Sequence, residues 1–509
     1  MRNKKKLLTL HQFFKYCNIL KTIIRTICLF LLVQNAVAQT PKHEIRAVWL
    51  TTIKGLDWPH SYSAYRQKQE LTNILDQLQK ANINTVLVQT RVRASTIFPS
   101  MMEPWDICMT GNAGQSPGYD ALQFCIDECH KRGMECHAWI VTIPVGKWTS
   151  DGCKKMRARF PKLIKKVGDE GYMDPEQSQT GDYLAQFCQE VTRRYDIDGI
   201  HLDYIRYPET WKLKVSREQG RRYITDIVRK INRAVKSEKP WVKMSCSPVG
   251  KFDDLARYRS GGWNAYTAVC QDAQGWLREG IMDVLFPMMY FQGNNFYPFV
   301  ADWKQHAYGR QVAPGLAIYM LHPQEKNWSL DVIKREMNVL RNEGLGVTFF
   351  RSKFLTDNIK GIYTFTKDFN LYPALIPPMS WSGKQAPSQV RTLSVRRGMT
   401  SDQLSWQGAR DNSGGDYLLY NIYASETYPV DTKDARNLIV VRHRGQSLSV
   451  PHKGRMLNYA VTVTDRYGNE SSPKESQAMA MRNRRPIDFR QLIIGNTDQK
   501  NKRKSHIKN

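Results

Sequence analysis

The sequence predicts an α/β protein, a (β/α)8 TIM-type barrel followed by a small all-β sandwich. Three observations predict it. From Glu44 to Phe354 eight short β-rich runs alternate with apolar stripes at the helical period. Around Tyr372 to Pro387 the composition turns to Pro, Ser and Gly. Beyond that break the apolar residues alternate with period two. With 509 residues, 41% hydrophobic and 24% charged, the chain can build more than one core, which excludes fibrous and wholly disordered classes.

From the N-terminus, residues 1–38 read as a cleaved signal peptide. Arg2, Lys4, Lys5, Lys6, Lys15, Lys21 and Arg25 stand there with no acid. An apolar run from Ile27 to Val33 follows, then Ala36-Val37-Ala38 before Gln39. That run is far short of the roughly 20 residues a membrane span needs, so no transmembrane segment is expected in the mature chain. The expected location is periplasm, cell envelope or extracellular space. Cys17 and Cys28 leave with the signal. The remaining eight cysteines form no C-x-x-C pair and have no His at zinc-ligand spacing, so they read as core thiols; no metal and no cofactor is expected.

The barrel, residues 39–380, is expected to use strands at Ile45–Leu50, Thr85–Gln89, Cys136–Val141, Gly199–Asp203, Val242–Ser247, Val284–Tyr290, Ala313–Tyr319 and Val347–Phe350. Helices between them show stripes such as Leu71, Ile74, Leu75 and Leu78, or Leu184, Phe187, Cys188 and Val191. Ser329 is placed to cap the helix carrying Ile333, Met337 and Leu340, with Gly344 near its end. Strands separated by helices require parallel pairing with right-handed crossovers. An open doubly wound sheet is the rival, weakened because Thr51-Thr52-Ile53-Lys54-Gly55 after the first strand holds one glycine where a phosphate loop needs several.

Residues 385–481 carry short alternating strands, among them Leu404–Trp406, Tyr420–Ala424, Leu438–Val441 and Tyr459–Val463. LSW at Leu404 to Trp406, YNIYAS at Tyr420 to Ser425 and YAVTVTDRYGNES at Tyr459 to Ser471 resemble a fibronectin type III module. Residues 482–509 form a basic tail. Of the net charge of +28, seven units lie in 1–38 and seven in this tail, leaving +14 for the middle. That is a moderate excess, and no nucleic-acid recognition motif accompanies it.

In a barrel of this kind reactive groups stand at the C-terminal ends of strands. Period two puts His201 and Asp203 on one face of their strand, which runs into Tyr204-Ile205-Arg206-Tyr207-Pro208. Asp203 beside Arg206 suits a nucleophile or an acid/base, or a structural ion pair. Other strand ends carry Trp49, Gln89, Arg91, His137, Trp139, Tyr290 and Tyr319. Aromatic faces and planar donors along one rim are what a sugar-binding cleft needs, since sugar rings present apolar faces and polar edges.

EIRAVWLT at Glu44 to Thr51, QTR at Gln89 to Arg91, FPSMMEPW at Phe98 to Trp105, GYDAL at Gly118 to Leu122 and HKRGMECHAW at His130 to Trp139 resemble the glycosyl hydrolase-like ten family. YDIDGIHLDYIRYP at Tyr195 to Pro208 and QDAQGWLREGIMDVLFPMMYF at Gln271 to Phe291 extend the resemblance over nearly the whole barrel. It implies an exported glycan hydrolase, with peptidoglycan strands stripped of stem peptides as a substrate known in the family. The family motifs map onto Arg91, Asp120, His137, His201, Asp203, Arg206 and Asp272. Two departures stand out: Val141 to Gly146 replaces an Asn-Pro-Tyr-Arg type segment, and Tyr204 follows Asp203 where many relatives have a second aspartate.

Glycoside hydrolysis usually needs two carboxyl groups. Asp203 is the first expected; Asp272, Glu103 and Asp120 are the candidates for the second, and the stereochemistry stays open. Expected substrate contacts are Trp49, Arg91, Asp120, His137, Trp139, His201, Arg206, Tyr207 and Tyr290. The expected partner is a polysaccharide of anionic character, drawn to Arg91 and Arg206. The alternative is a catalytically silent glycan-binding or adhesion protein of the envelope, because a fold alone does not fix function.

Overall fold

The computed structural model describes residues 40–415 and 417–476. The expected signal segment 1–38 and basic tail 482–509 lie outside those residues. In chain order, β1 (Arg46–Leu50) and β2 (Thr85–Val92), the latter with a short antiparallel partner β3 (Ser95–Thr96), lead to β4 (Glu135–Val141). Three short strands follow as an excursion, β5 (Pro144–Lys147), β6 (Ile164–Val167) and β7 (Glu170–Met173). The main series resumes with β8 (Gly199–Asp203), β9 (Lys243–Cys246), β10 (Val284–Leu285), β11 (Gln311–Val312), β12 (Gly315–Leu316) and β13 (Val347–Phe349).

Every pairing along the main ladder, in the order β11-β10-β9-β8-β4-β2-β1-β13-β12, is parallel. Its two ends, β11 and β12, are halves of one segment, so the ladder returns to where it began. Pro314 separates those halves, and Pro287 follows β10 closely. Proline donates no N–H, which is why the sixth and seventh strands are shorter than Val284–Tyr290 and Ala313–Tyr319, and why Tyr319 falls in the 3-10 turn Ile318–Leu321 instead of on a strand.

Alternation along the strands builds two cores. Val48, Leu50, Val86, Val88, Ile200 and Leu202 face the surrounding helices, including Ala64–Lys80 and Ser178–Arg194. Ala47, Trp49, Leu87, Trp139, Val284 and Phe286 fill the space the ladder encloses. The helix Leu330–Asn342 begins as expected, with Ser329 Oγ accepting from Asp331 N at 3.2 Å. The eight cysteines from Cys108 to Cys270 are buried thiols. Among the described residues no helix is long and apolar enough to cross a membrane.

The C-terminal part holds two antiparallel sheets. One pairs β14 (Thr392–Arg396), β15 (Ser401–Gln407) and β18 (Ser447–Pro451); the other pairs β16 (Leu419–Ser425), β17 (Leu438–His443), β19 (Asn458–Thr464) and β20 (Lys474–Glu475). Leu404 and Trp406 from the first share an apolar cluster with Tyr420, Ile422 and Val461 from the second. This part docks at the N-terminal ends of the parallel strands through charge. Arg442 reaches Asp198 at 2.6 Å and Glu135 at 3.2 Å, while Arg466 and Arg444 reach Asp196 at 2.6 and 3.1 Å. Lys243 holds Glu135 from the other side at 2.5 Å. Burial alone would push Glu135 and Asp198 up, but Lys243 and Arg442 hold Glu135 below the usual carboxylate range, and Arg442 and His130 do so for Asp198.

Two stability predictions follow from these buried charges. Arg442→Met leaves two buried carboxylates under-compensated and should lower unfolding stability by about 3 kcal/mol, read as a lower denaturation midpoint of the whole chain. Glu336 is 1% exposed and neither carboxylate oxygen has a partner, so burial pushes its pKa up to about 9. A carboxyl whose folded pKa is raised costs stability as pH climbs from its unfolded value toward 9, by at most roughly 1.4 kcal/mol per pH unit. Glu336→Gln should therefore flatten the fall in melting temperature between pH 5 and pH 9.

Candidate active site

The site is built on the filling of the strand interior. Trp49 Nε1 donates to His201 Nε2 at 3.1 Å, and His201 Nδ1 lies 3.1 Å from Ser245 Oγ. Burial drives the His201 pKa well down, with His137 adding to the effect, so the ring is neutral; accepting at Nε2 assigns its hydrogen to Nδ1. Phe286 and Trp139 close around it, with ring centroids 5.4 and 6.3 Å away. His137 packs flat on Gly199, where a Cβ would stand 2.5 Å from Nδ1 and would displace the ring.

One inward position further along β8 comes Asp203, 7% exposed. Its Oδ1 accepts from Ser247 Oγ and from Tyr204 N, both at 2.8 Å, and its Oδ2 accepts from Trp139 Nε1 at 3.1 Å. Burial raises its pKa; these donors and the nearby Arg206 oppose that rise without cancelling it. Oδ2, with a single donor, keeps a lone pair on which a proton can sit. Asp203 is thus a carboxyl biased toward its protonated form at the C-terminal end of a parallel strand.

Around it the chain turns sharply. Tyr204 has φ 52°, a left-handed backbone unusual for a non-glycine residue, and its side chain is 38% exposed. Arg206 lies 4.6 Å from the Tyr204 ring and 5.6 Å from that of Trp263, and its Nη2 meets Glu209 at 2.8 Å. Burial works against ionisation of Glu209, but the hydrogen bond and charge of Arg206 hold it below the usual range. Tyr290, whose hydroxyl feels the Asp203 charge, stands against Tyr319 and Phe350 with centroids 5.8 and 5.6 Å away. The result is a carboxyl flanked by partly exposed aromatic rings.

Asp203, Trp139, Arg206 and Tyr290 come together here, and Trp49 and His201 lie directly beneath, buried as supports and out of reach of a ligand. Other expected residues are spent elsewhere. Arg91 is fully buried, its guanidinium doubly bonded to Glu103 at 2.7–2.9 Å and donating to the Val141 and Thr142 carbonyls. Glu103 also accepts from Tyr183 at 2.9 Å, so this buried pair ties β2 to the loop carrying Glu103 and to the helix Ser178–Arg194. His137 lies 3.1 Å from Glu135, near the N-terminal strand ends. Asp120 caps the helix Ala121–Lys131 and accepts from Tyr195 at 2.6 Å. Asp272 caps the helix Ala273–Glu279 through Gly275 N at 3.0 Å, and a side chain at Gly275 would collide with that carboxylate. Tyr207 is 1% exposed and packs on Trp211.

Ser247, Glu209, Trp263 and Phe350 were not expected. Ser247 was readable in principle: His201 pairs with Ser245, so Asp203 and Ser247 end neighbouring strands at one level. Glu209 lies three residues beyond Arg206, outside the strand-end rule.

Ser247→Ala removes a donor that stabilises the ionised form. The Asp203 carboxyl should then release its proton at higher pH, which carboxyl-carbon NMR titration reads directly; an unchanged midpoint would show that the hydroxyl has no hold on it.

The family model described as Glycosyl hydrolase-like 10 matches residues 44–216 and 213–314, running from β1 through β11 and including Asp203, Arg206 and Glu209. The chain is similar to Glycosyl hydrolase YngK of Bacillus subtilis (strain 168), 29% identical over 472 residues covering 84% of this chain and 92% of that protein. It is also similar to Glycosyl hydrolase DigH of Escherichia coli (strain K12), 29% identical over 311 residues, 53% of this chain and 71% of that protein. Among solved structures, the catalytic domain of a β-amylase from Paenibacillus polymyxa aligns at 10% identity with a TM-score of 0.45, covering 65% of this chain and 98% of that one. The protein therefore belongs to the glycosyl hydrolase-like 10 family and is a glycoside hydrolase.

Proposed function

We propose that the enzyme cleaves glycosidic bonds in peptidoglycan glycan strands lacking stem peptides, outside the cytoplasm, with Asp203 as general acid. The observation that carries this reading is the Asp203 carboxyl, held toward its protonated form among aromatic rings at the mouth of the parallel strands. An acid that protonates a leaving oxygen near neutral pH needs a raised pKa, and burial supplies it.

For the second carboxyl we assign Glu209. The two groups share Arg206, yet their environments push their pKa values apart, Asp203 up by burial and Glu209 down by its ion pair. That divergence is the pattern of an acid and an ionised partner. Tyr290, Tyr319 and Tyr204 offer apolar faces for the sugar rings. Within the same proposal, the strand ring works as a TIM-type barrel with its catalytic face at Asp203. The two C-terminal sheets form a fibronectin type III-like module that seals the opposite end, and residues 1–38 direct export.

The test is mass spectrometry of products after incubating the whole chain with peptide-stripped strands. The unsubstituted protein should release muramic-acid-containing fragments; Asp203→Asn should lose turnover by about 10³-fold or more while still binding, and Glu209→Gln should fall by about 10²-fold or more. Asp272→Asn and Glu103→Gln should act on thermal stability in place of the chemical step. Strand binding with no release by the unsubstituted protein would move the assignment to a silent glycan-binding protein.

A further inference from the structure

The excursion between β4 and the helix Ser178–Arg194 has no part in the chemistry described so far, and its charge is unusual. Between Lys147 and Lys166 the chain carries eight basic residues against the single acid Asp151, and Asp169, Glu170, Asp174 and Glu176 follow before the helix. Among the described residues only Lys165 of those eight pairs with a carboxylate, Asp174 at 2.7 Å. Lys147 and Lys166 are exposed. So dense an unpaired cluster costs self-repulsion, which an anionic ligand would relieve.

The excursion is joined to the site by side-chain contact. The antiparallel order β5-β7-β6 sets Lys165 opposite Tyr172, placing both on one face. That face meets Trp211: the Tyr172 ring lies 6.3 Å from it, edge to face, and Lys165 Nζ stands 5.5 Å from its centre. Trp211 follows Glu209 by two residues, and Tyr172 lies within the fields of Arg206 and Glu209. A continuous track of rings and cations therefore leads from Asp203 and Tyr204 through Arg206, Tyr172 and Trp211 to Lys165. On the opposite face of the same small sheet, where alternation puts Lys166, Trp148 is flanked by Arg157 at 3.8 Å and by Lys166 at 5.9 Å. Rings beside cations match a chain of sugar rings with a carboxylate on its repeating unit; a neutral glycan would use the rings and gain nothing from the cations.

We propose that the excursion β5–β7, with Trp211, is a binding wall that selects carboxylate-bearing glycans over neutral ones and feeds them to Asp203. The proposal rests on the glycan-hydrolase reading above and adds what the wall recognises.

The experiment measures binding in the Asp203→Asn background, so that strands stay intact and a failure of the catalytic assignment leaves the result readable. The probes are peptide-stripped peptidoglycan strands, the same strands with their lactyl carboxyls converted to methylamides, and oligogalacturonate. The stripped strands should bind more tightly than the methylamides at low salt. Lys147→Gln/Lys165→Gln, on the face that carries Tyr172, should weaken the stripped strands by about tenfold while leaving the methylamides unchanged. Equal affinity for the two strands, an affinity ratio unmoved by the double substitution, or no binding of either strand would overturn the proposal. Oligogalacturonate as tight as the stripped strands would support recognition of sugar carboxylates in general; weaker binding would support recognition of the lactyl ether.

Discussion

The hydrogen bond from Trp49 to His201, deep inside the ring of parallel strands, sets the level at which everything above it stands. A closed ladder must fill its own interior with the inward half of its side chains, and here two tryptophans, a neutral histidine and Phe286 do so. Because that layer is dry, the next inward residue of β8 leaves water as well. Asp203 is the first polar group above a packed floor, and its raised pKa follows from that position. Trp139 serves both layers, its ring packed beside His201 and its N–H on Asp203.

The same physics gives opposite results at the two ends of the strands. Glu135 is as buried as Asp203 and Asp198 nearly so, yet each meets full cationic partners, and their pKa values fall. Asp203 is offered neutral donors and an arginine occupied with Glu209, and its pKa rises. Ionised, paired carboxylates make a rigid junction with the C-terminal sheets; a carboxyl left poised can exchange a proton with a substrate. The enzyme thus spends its charge pairing at the docked end and withholds it at the open one.

Much of this was legible in the chain. Short β-rich runs alternating with helical stripes located the parallel strands, and the strand-end rule singled out Asp203, Trp139 and Tyr290, which come together at the C-terminal strand ends. Capping residues were the main source of divergence. Asp120 and Asp272 sit in motifs and after strands, as a catalytic group would, but an aspartate before a helix satisfies free N–H groups equally well, and only coordinates separate the two uses. Arg91 and Glu103, twelve residues apart, close on each other, a pairing that spacing does not encode. The excursion β5–β7 escaped notice because its strands are only four residues long.

By itself, the order of residues determined the alternation of short strands with helices and the face of its strand that Asp203 takes, because those depend on local periodicity. Tertiary structure alone decided which ionisable groups meet. Glu209 comes to Arg206 through a turn, Arg442 reaches Asp198 across 244 positions of chain, and Lys165 of the excursion comes to lie against Trp211. Burial and pairing set the charge state of each, and both are properties of the assembled molecule, not of any stretch of it.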